Sequence, residues 1–155
     1  FWVMRVISQN VDGLHQRAGS RNVLELHGSL WRARCTREGT VVPLLDVPLP
    51  EIPPRCRRCG ALLRPDVVWF GEALDPRTLQ ASMEAAARAE VMLVVGTSAV
   101  VYPAAQLPLV ALENGAYLIE VNPETTALSA VVHERWAEPA GEALPRLWEM
   151  WQGGE

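Results

Sequence analysis

The chain has no lysine: all fourteen of its basic residues are arginine. We read this as compositional bias, such as a GC-rich genome produces, rather than as function. Cysteine is nearly absent too. Cys35, Cys56 and Cys59 are too few, and odd in number, for a disulfide framework, so the Cys56-Arg57-Arg58-Cys59 pair suggests metal or redox chemistry instead. No apolar run approaches the ~18 residues that a membrane span needs. No signal peptide is recognisable, because Arg5 interrupts the first apolar run and no small-residue cleavage site follows. A cytoplasmic location is therefore the default expectation, with no membrane partner. A net charge of −4 argues against nucleic acid as a partner. Gly-x-Gly occurs nowhere, so the fingerprint that opens many dinucleotide folds is missing. Either the chain binds something else or that loop lies upstream. The start at Phe1, almost inside a strand, carries the expectation that upstream sequence is missing.

What is present is enough for a real core. Of 155 residues, 49% are hydrophobic, which suits one ordinary domain or one domain with a small insertion. Val3 to Ser8 reads as a buried strand and Val23 to Leu26 as a short mixed one. Residues 28–66 differ: they hold all three cysteines, seven arginines and six prolines (Pro43, Pro48, Pro50, Pro53, Pro54 and Pro65). Proline at that density breaks helices and central strands, so this stretch reads as a small irregular insertion. Val67 to Phe70 reads as a strand. Asp75-Pro76 is a helix start, with Asp75 as cap and Pro76 at the first helical position. Val91 to Val95, "VMLVV", has the continuous apolar character of a strand buried on both faces. Pro103 to Asn114 reads as a helix in which Pro108 marks a kink or the true start. Ala116 to Val121 is the next strand, and Pro145 to Trp151 a last amphipathic helix. Strands alternating with helices imply an α/β fold, a Rossmann-like parallel sheet covered on both faces. Its parts would be residues 1–27 and 67–155, with 28–66 inserted.

Three strands end in polar clusters: "SQNVD", "GTS" and "VNPE". In open parallel sheets, ligands bind beyond the carboxyl ends of the strands, so three clusters on one edge would line one crevice. Gln9 and Asn10 can donate and accept, as ribose hydroxyls and amides require. Gly96 lets backbone come close to a phosphate, Thr97 and Ser98 add hydroxyls, and Asn122 and Glu124 suit a second ribose. The implied ligand is a nucleotide. Each cluster alone also has an ordinary explanation, because these residue types favour turns.

In order along the chain stand "QNVDGLHQRAG", "ELHGSL", "CRRCG", "LRPDVVWFGE", "GTSAVVYPAA" and "VNPE". Together they resemble the sirtuins, the NAD-dependent protein-lysine deacylases. "VVWFGE" and "VVYPAA" look most like the bacterial and mitochondrial class, some members of which remove acyl groups larger than acetyl. The resemblance covers nearly all of the chain and corresponds to the C-terminal two-thirds of a sirtuin. The family's GAGxS phosphate loop is not in it, so the chain alone is expected to be inactive.

The resemblance implies a fold, an activity and a set of roles. His15 would be the general base, an imidazole with a reference pKa near ~6.5 that can accept a proton at neutral pH. In the family's reaction the acyl-lysine oxygen attacks the ribose carbon bearing nicotinamide. Nicotinamide leaves, and a ribose hydroxyl deprotonated by the histidine then takes up the acyl group as an ADP-ribose ester. The cofactor supplies the electrophile, which explains why no Ser/His/Asp or Cys/His set is needed. Asp12 would hold the nicotinamide amide, with Gln9 and Asn10 on the ribose. Asn10 and Asp12 at i and i+2 would face one side of an extended chain. Gly96, Thr97 and Ser98 would approach the phosphates and the adenosine ribose, with Asn122 and Glu124 on the adenosine side. Val68, Phe70, Gly71 and Glu72, with Val101 and Tyr102, would sandwich an acylated-lysine peptide as an added strand. His27 and His133 would be structural.

The family's zinc is held by two Cys-x-x-Cys pairs. Here Cys56 and Cys59 form one pair, while the other reads Cys35-Thr36-Arg37-Glu38. The fourth ligand is Glu38, a water or nothing, and the cysteines can also persist without metal. Two other readings compete with the enzyme. One is a non-catalytic nucleotide- or partner-binding module with a metal ribbon. The other, a nucleic-acid binder using the arginines of residues 32–64, is weakened by the overall acidity.

Overall fold

In the computed structural model, residues 3–152 are described. The chain divides into two compact units, split between Ala81 and Ser82. The first opens with β1 (Val6–Ser8), the one-turn helix α1 (Leu14–Arg17) and β2 (Val23–Glu25). β1 and β2 pair in parallel, with Val6 opposite Val23 and Ser8 opposite Glu25. Then come β3 (Gly28–Cys35), β4 (Val41–Pro43) and β5 (Leu63–Val67), an antiparallel sheet in the order β4-β3-β5. Among the described residues of this unit, Leu26, Ala33, Cys35 and Cys56 are the buried apolar ones. Arg32 reaches Glu25 on β2 at 2.8 Å and Asp66 on β5 at 3.2 Å, and Arg34 also reaches Asp66, at 2.7 Å. These pairs lace β2, β3 and β5 together through arginine forks. Gly28 sits where β3 meets β5, at φ +80°, and a Cβ there would lie 2.0 Å from the carbonyl oxygen of Asp66. Only glycine fits.

α2 (Pro76–Ala87) crosses the division. Its cap is the expected one: Asp75 Oδ1 accepts the Thr78 N–H at 2.8 Å. The second unit continues with β6 (Val91–Val95), a 3-10 turn at Ala104–Gln106, α3 (Leu107–Glu113), β7 (Tyr117–Val121), β8 (Glu134–Trp136) and α4 (Ala140–Gln152). β6, β7 and β8 form a parallel sheet in that order. Ile119, Val121 and Ala143 make its core, with Trp136 and Ala140 against them. α3 packs on β6 and β7 through buried Leu107 and Ala111. The fold is thus α/β, with parallel strands, helices and a cysteine-bearing antiparallel module. No helix among the described residues is long and apolar enough to cross a membrane.

Several expectations need correction. The single parallel sheet is two sheets among the described residues, so "SQNVD" ends a different sheet from "GTS" and "VNPE". β6 is not buried on both faces: Val91, Leu93 and Val95 are exposed, and its one strand partner among the described residues is β7. The strand expected at Val67 to Phe70 lies earlier, at Leu63–Val67. Pro65 is tolerated because β5 is an edge strand. Residues 68–72 instead form a turn, closed by Glu72 N–H on the Trp69 carbonyl at 2.9 Å. β1 is shorter than Val3 to Ser8, with Val3 and Met4 exposed. α4 starts at Ala140, not Pro145, and Pro145 stands inside it. Pro108 marks a start, not a kink: it lies in the first turn of α3.

Gly28→Ala is expected to destabilise the chain by about 3 kcal/mol, combining a strained φ with a backbone overlap. Urea denaturation of the two proteins checks this; equal midpoints would refute it.

Candidate functional site

The polar segment after β1 is not extended. Ser8, buried at the strand end, accepts the Asn10 N–H on its hydroxyl at 3.1 Å, which turns the chain at once. The Gln9 carbonyl lies 3.0 Å from His27 Nδ1. Asp12 then starts α1: its Oδ1 accepts the Leu14 N–H at 2.9 Å, and its carbonyl accepts Trp31 Nε1–H at 2.7 Å. Gly13 must be glycine, because at φ +68° a Cβ would lie 2.7 Å from the Trp31 ring. α1 has a single turn, and His15 stands on it exposed to solvent. Asn10 is exposed, and Gln9 and Asp12 are half-buried. The expected common side for Asn10 and Asp12 therefore does not come from an extended backbone, since both are folded into consecutive turns.

In the second unit the structure brings "GTS" and "VNPE" together. Gly96 follows β6 at φ +62°, and a Cβ there would meet nothing within 4 Å. Its N–H donates to the Val121 carbonyl at 3.0 Å. Thr97 Oγ1 accepts the Ala99 N–H at 3.3 Å, and Ala99 itself has φ +56°. Asn122 is 9% exposed and joins the two turns. Its Nδ2 donates to the Thr97 carbonyl at 3.0 Å, and its Oδ1 accepts the Glu124 N–H at 3.1 Å. One Asn122 side chain thus sets the spacing of both loops at the carboxyl edge of this sheet. His133 Nδ1 accepts the Leu118 N–H at 3.0 Å.

The "VWFGE" turn belongs to the first unit. Glu72 takes both ends of the Arg64 guanidinium, at 2.7 and 2.8 Å, and also the Trp69 N–H at 3.1 Å. Arg64 lies 4.2 Å over the Trp69 ring. Glu72 is thus spent on shaping the turn. Arg64 above all, then the Trp69 N–H, hold its carboxyl down at about 2. Phe70 at the tip is 99% exposed, and Val68 donates its N–H to the His27 carbonyl at 2.9 Å. Val101 and Tyr102, in the second unit, are exposed.

The cysteines gather. Donor atoms of Cys35, Glu38, Cys56 and Cys59 all lie within 4.8 Å of one another. The reason is a repeated backbone turn. In one copy Gly39 N–H donates to the Cys35 carbonyl and Cys35 N–H to the Thr40 carbonyl, both at 2.9 Å. In the other, Gly60 N–H donates to the Cys56 carbonyl and Cys56 N–H to the Ala61 carbonyl, both at 2.8 Å. Gly39 and Gly60 have φ of +68° and +71°. Glu38 therefore occupies in the first turn the place Cys59 has in the second. Cys35 and Cys59 sulfurs are 3.5 Å apart. The Glu38 N–H, 3.4 Å from its sulfur, lowers the Cys35 thiol pKa. The Ala61 N–H pulls Cys59 the same way, but burial and the neighbouring thiols prevail and push it up to about 11. Three thiols and a carboxylate at such separations are a donor set that zinc takes tetrahedrally.

Sequence reasoning missed the residues that hold these parts. Trp31 fixes Asp12, Arg64 fixes Glu72, and Arg135 lies 3.5 Å from the buried Glu120 on β7. Only Glu120 left a signal: an acid inside the apolar run "YLIEV".

Residues 2–103 match the profile of the Sir2 family. The chain is 57% identical over 147 residues to NAD-dependent protein deacylase 2 of Pyrobaculum aerophilum, covering 95% of this chain and 59% of that protein. It is 53% identical to the NAD-dependent protein deacylase of Aquifex aeolicus, covering 93% and 60%. Among solved structures, a Sir2 homolog–NAD complex superposes with a TM-score of 0.93 at 45% identity, over 97% of this chain and 59% of that one. A Sir2–p53 peptide–NAD+ structure gives 0.88 at 35%, over 98% and 65%. The chain spans about three-fifths of the length of the curated relatives it matches.

Two outcomes are expected. Purified with zinc in excess, the chain should retain a single ion, and chelation should lower its melting temperature by roughly 10 °C or more. A metal-free protein of equal stability would mean a bare thiol cluster. Second, Glu72 ionises far more readily folded than at its ordinary value near 4.5. Its stabilising effect should be complete above that value and disappear as pH falls toward about 2. The melting temperatures of wild type and Glu72→Gln should converge over this range; a constant difference would refute the pairing.

Proposed function

The chain belongs to the Sir2 family, and from that premise we propose that it is the greater part of an NAD-dependent protein-lysine deacylase. The observation that carries this reading is the setting of His15. An exposed imidazole stands on one helical turn, and just before it Asp12 accepts the Leu14 N–H and its carbonyl accepts Trp31 Nε1–H, within the segment matching the family profile.

NAD, when bound, supplies the electrophilic ribose carbon. The chain's residues fit such a ligand. Gln9, Asn10 and Asp12 offer amide and carboxylate groups within a few residues of His15. Gly96 has open space before it, where backbone can approach a phosphate. His15 is the base that removes a ribose hydroxyl proton, carried on the one-turn helix α1. Asp12 has one oxygen engaged by Leu14, which leaves the other for the amide of nicotinamide. Thr97 and Ser98, with Asn122 and Glu124, take the phosphate and adenosine side.

The substrate is an acylated lysine in an extended segment. In the first unit, Val68, Phe70 and Gly71 supply backbone and apolar surface for such a segment; in the second, Val101 and Tyr102 are exposed. Glu72 acts by bracing the first of these turns. Zinc has a structural part. Cys35, Cys56, Cys59 and Glu38 would hold it, Glu38 by virtue of the repeated turn, and four protein ligands leave no open position for catalysis.

The test uses the protein expressed from the complete reading frame. With NAD and an acetyl- or succinyl-lysine peptide, it should release nicotinamide and free lysine. His15→Tyr should lower the rate by about 10²–10⁴-fold at unchanged fold. A fully active His15→Tyr protein would remove the base assignment. NAD binding without turnover in the wild type would favour the binding module.

A further inference from the structure

Glu120 stands inside β7 and is 1% exposed, in a strand otherwise built of Tyr117, Leu118, Ile119 and Val121. A carboxylate there is costly unless paired and hydrogen-bonded. It is both. Thr126 Oγ1 donates to one oxygen, and Ser129 Oγ donates to the other at 2.5 Å. Arg135 Nε on β8 lies 3.5 Å from that second oxygen. The same guanidinium reaches out of the sheet edge: its Nη2 donates to the carbonyls of Asn122 at 3.4 Å and Pro123 at 3.5 Å. The hydroxyls are themselves placed, since Ser129 Oγ accepts the Thr126 N–H at 2.9 Å and Thr126 Oγ1 the Leu128 N–H at 3.1 Å.

The location of this cluster matters. β7 and β8 are parallel, and such strands are usually joined through a helix. The connection here, residues 122–133, contains none. Its entry is Asn122-Pro123-Glu124 and its return is Thr126 to Ser129. Glu120 holds the return, Arg135 holds the entry, and the two meet at their ion pair. An apolar residue of similar size at 120 would pack as well or better, but could not fix the two limbs of the loop to each other.

We propose that Glu120 and Arg135 are positioning residues for the adenosine half of the nucleotide, aiming Asn122 and Glu124 without touching the ligand. This rests on the deacylase reading of the same loop. Because the cluster serves one half of one ligand, its loss should weaken the nucleotide and leave the acyl-lysine peptide alone.

In the protein from the complete reading frame, Glu120→Gln should raise the Kd for ADP-ribose and the KM for NAD about tenfold. The KM for the acyl peptide should stay within about twofold, because the cluster braces only the connection after β7. If Glu120→Gln does not fold, the milder Thr126→Val/Ser129→Ala protein is read the same way, with the same direction expected. Unchanged ADP-ribose affinity in a folded variant would overturn the proposal. So would both KM values rising together with a fall in melting temperature, which marks a role in stability only. A wild-type protein that binds no ADP-ribose would overturn the deacylase reading, and this proposal with it.

Discussion

The hydrogen bond from Trp31 Nε1 to the Asp12 carbonyl, 2.7 Å long, is the contact on which the first unit's arrangement turns. Trp31 lies in β3, the strand that pairs on both sides of its sheet. β3 ends at Cys35, so the cysteine turns set the sheet and the sheet sets Trp31. Trp31 then fixes Asp12, Asp12 accepts the first N–H of α1 from the residue before its Gly13 cap, and α1 carries His15. A four-residue helix has no stability of its own. It persists here because the residue that leads into it, Asp12, is tied to a neighbouring sheet. A metal held at the cysteines would thereby be linked to the position of the imidazole through one strand.

The second unit solves the same problem differently. The order of its loops comes from buried polar side chains. Asn122 satisfies both of its ends within the loop pair it joins. Glu120 collects two hydroxyls and a guanidinium. Buried polar groups demand defined partners, so each one excludes alternative loop conformations that apolar contacts would tolerate.

What could be read in the sequence follows from this contrast. Strand ends, the Asp75 cap and the three polar clusters were legible because they are local: a residue type and its near neighbours decide them. The cysteine cluster was legible as spacing, but the equivalence of Glu38 and Cys59 appeared only with the repeated turn. The strand at Leu63–Val67 was misplaced because an ion pair eight residues long, Arg64 to Glu72, turns "VWFGE" away from the sheet. Its apolar composition alone points to strand. Trp31 and Arg135 carried no signal at all, since their partners lie 19 and 12 to 15 residues away and the spacing means nothing until the strands are paired.

The missing lysines bear on the same point. Arg32 spans Glu25 and Asp66, Arg34 grips Asp66, Arg64 takes both oxygens of Glu72 while lying on Trp69, and Arg135 joins Glu120 to two carbonyls. Each contact uses the planar fork, with different nitrogens facing different partners or different oxygens in Arg32, Arg64 and Arg135, and two nitrogens on one Asp66 oxygen in Arg34. An ammonium group could meet one partner in each case and stack on none so well. A genome's bias can supply the arginines, but these four places require them. Substituting lysine there would keep every charge in the chain and lose the bridging. The charge balance of the sequence and the geometry of its arginines are therefore separate constraints, and it is the second that holds the site loops in place.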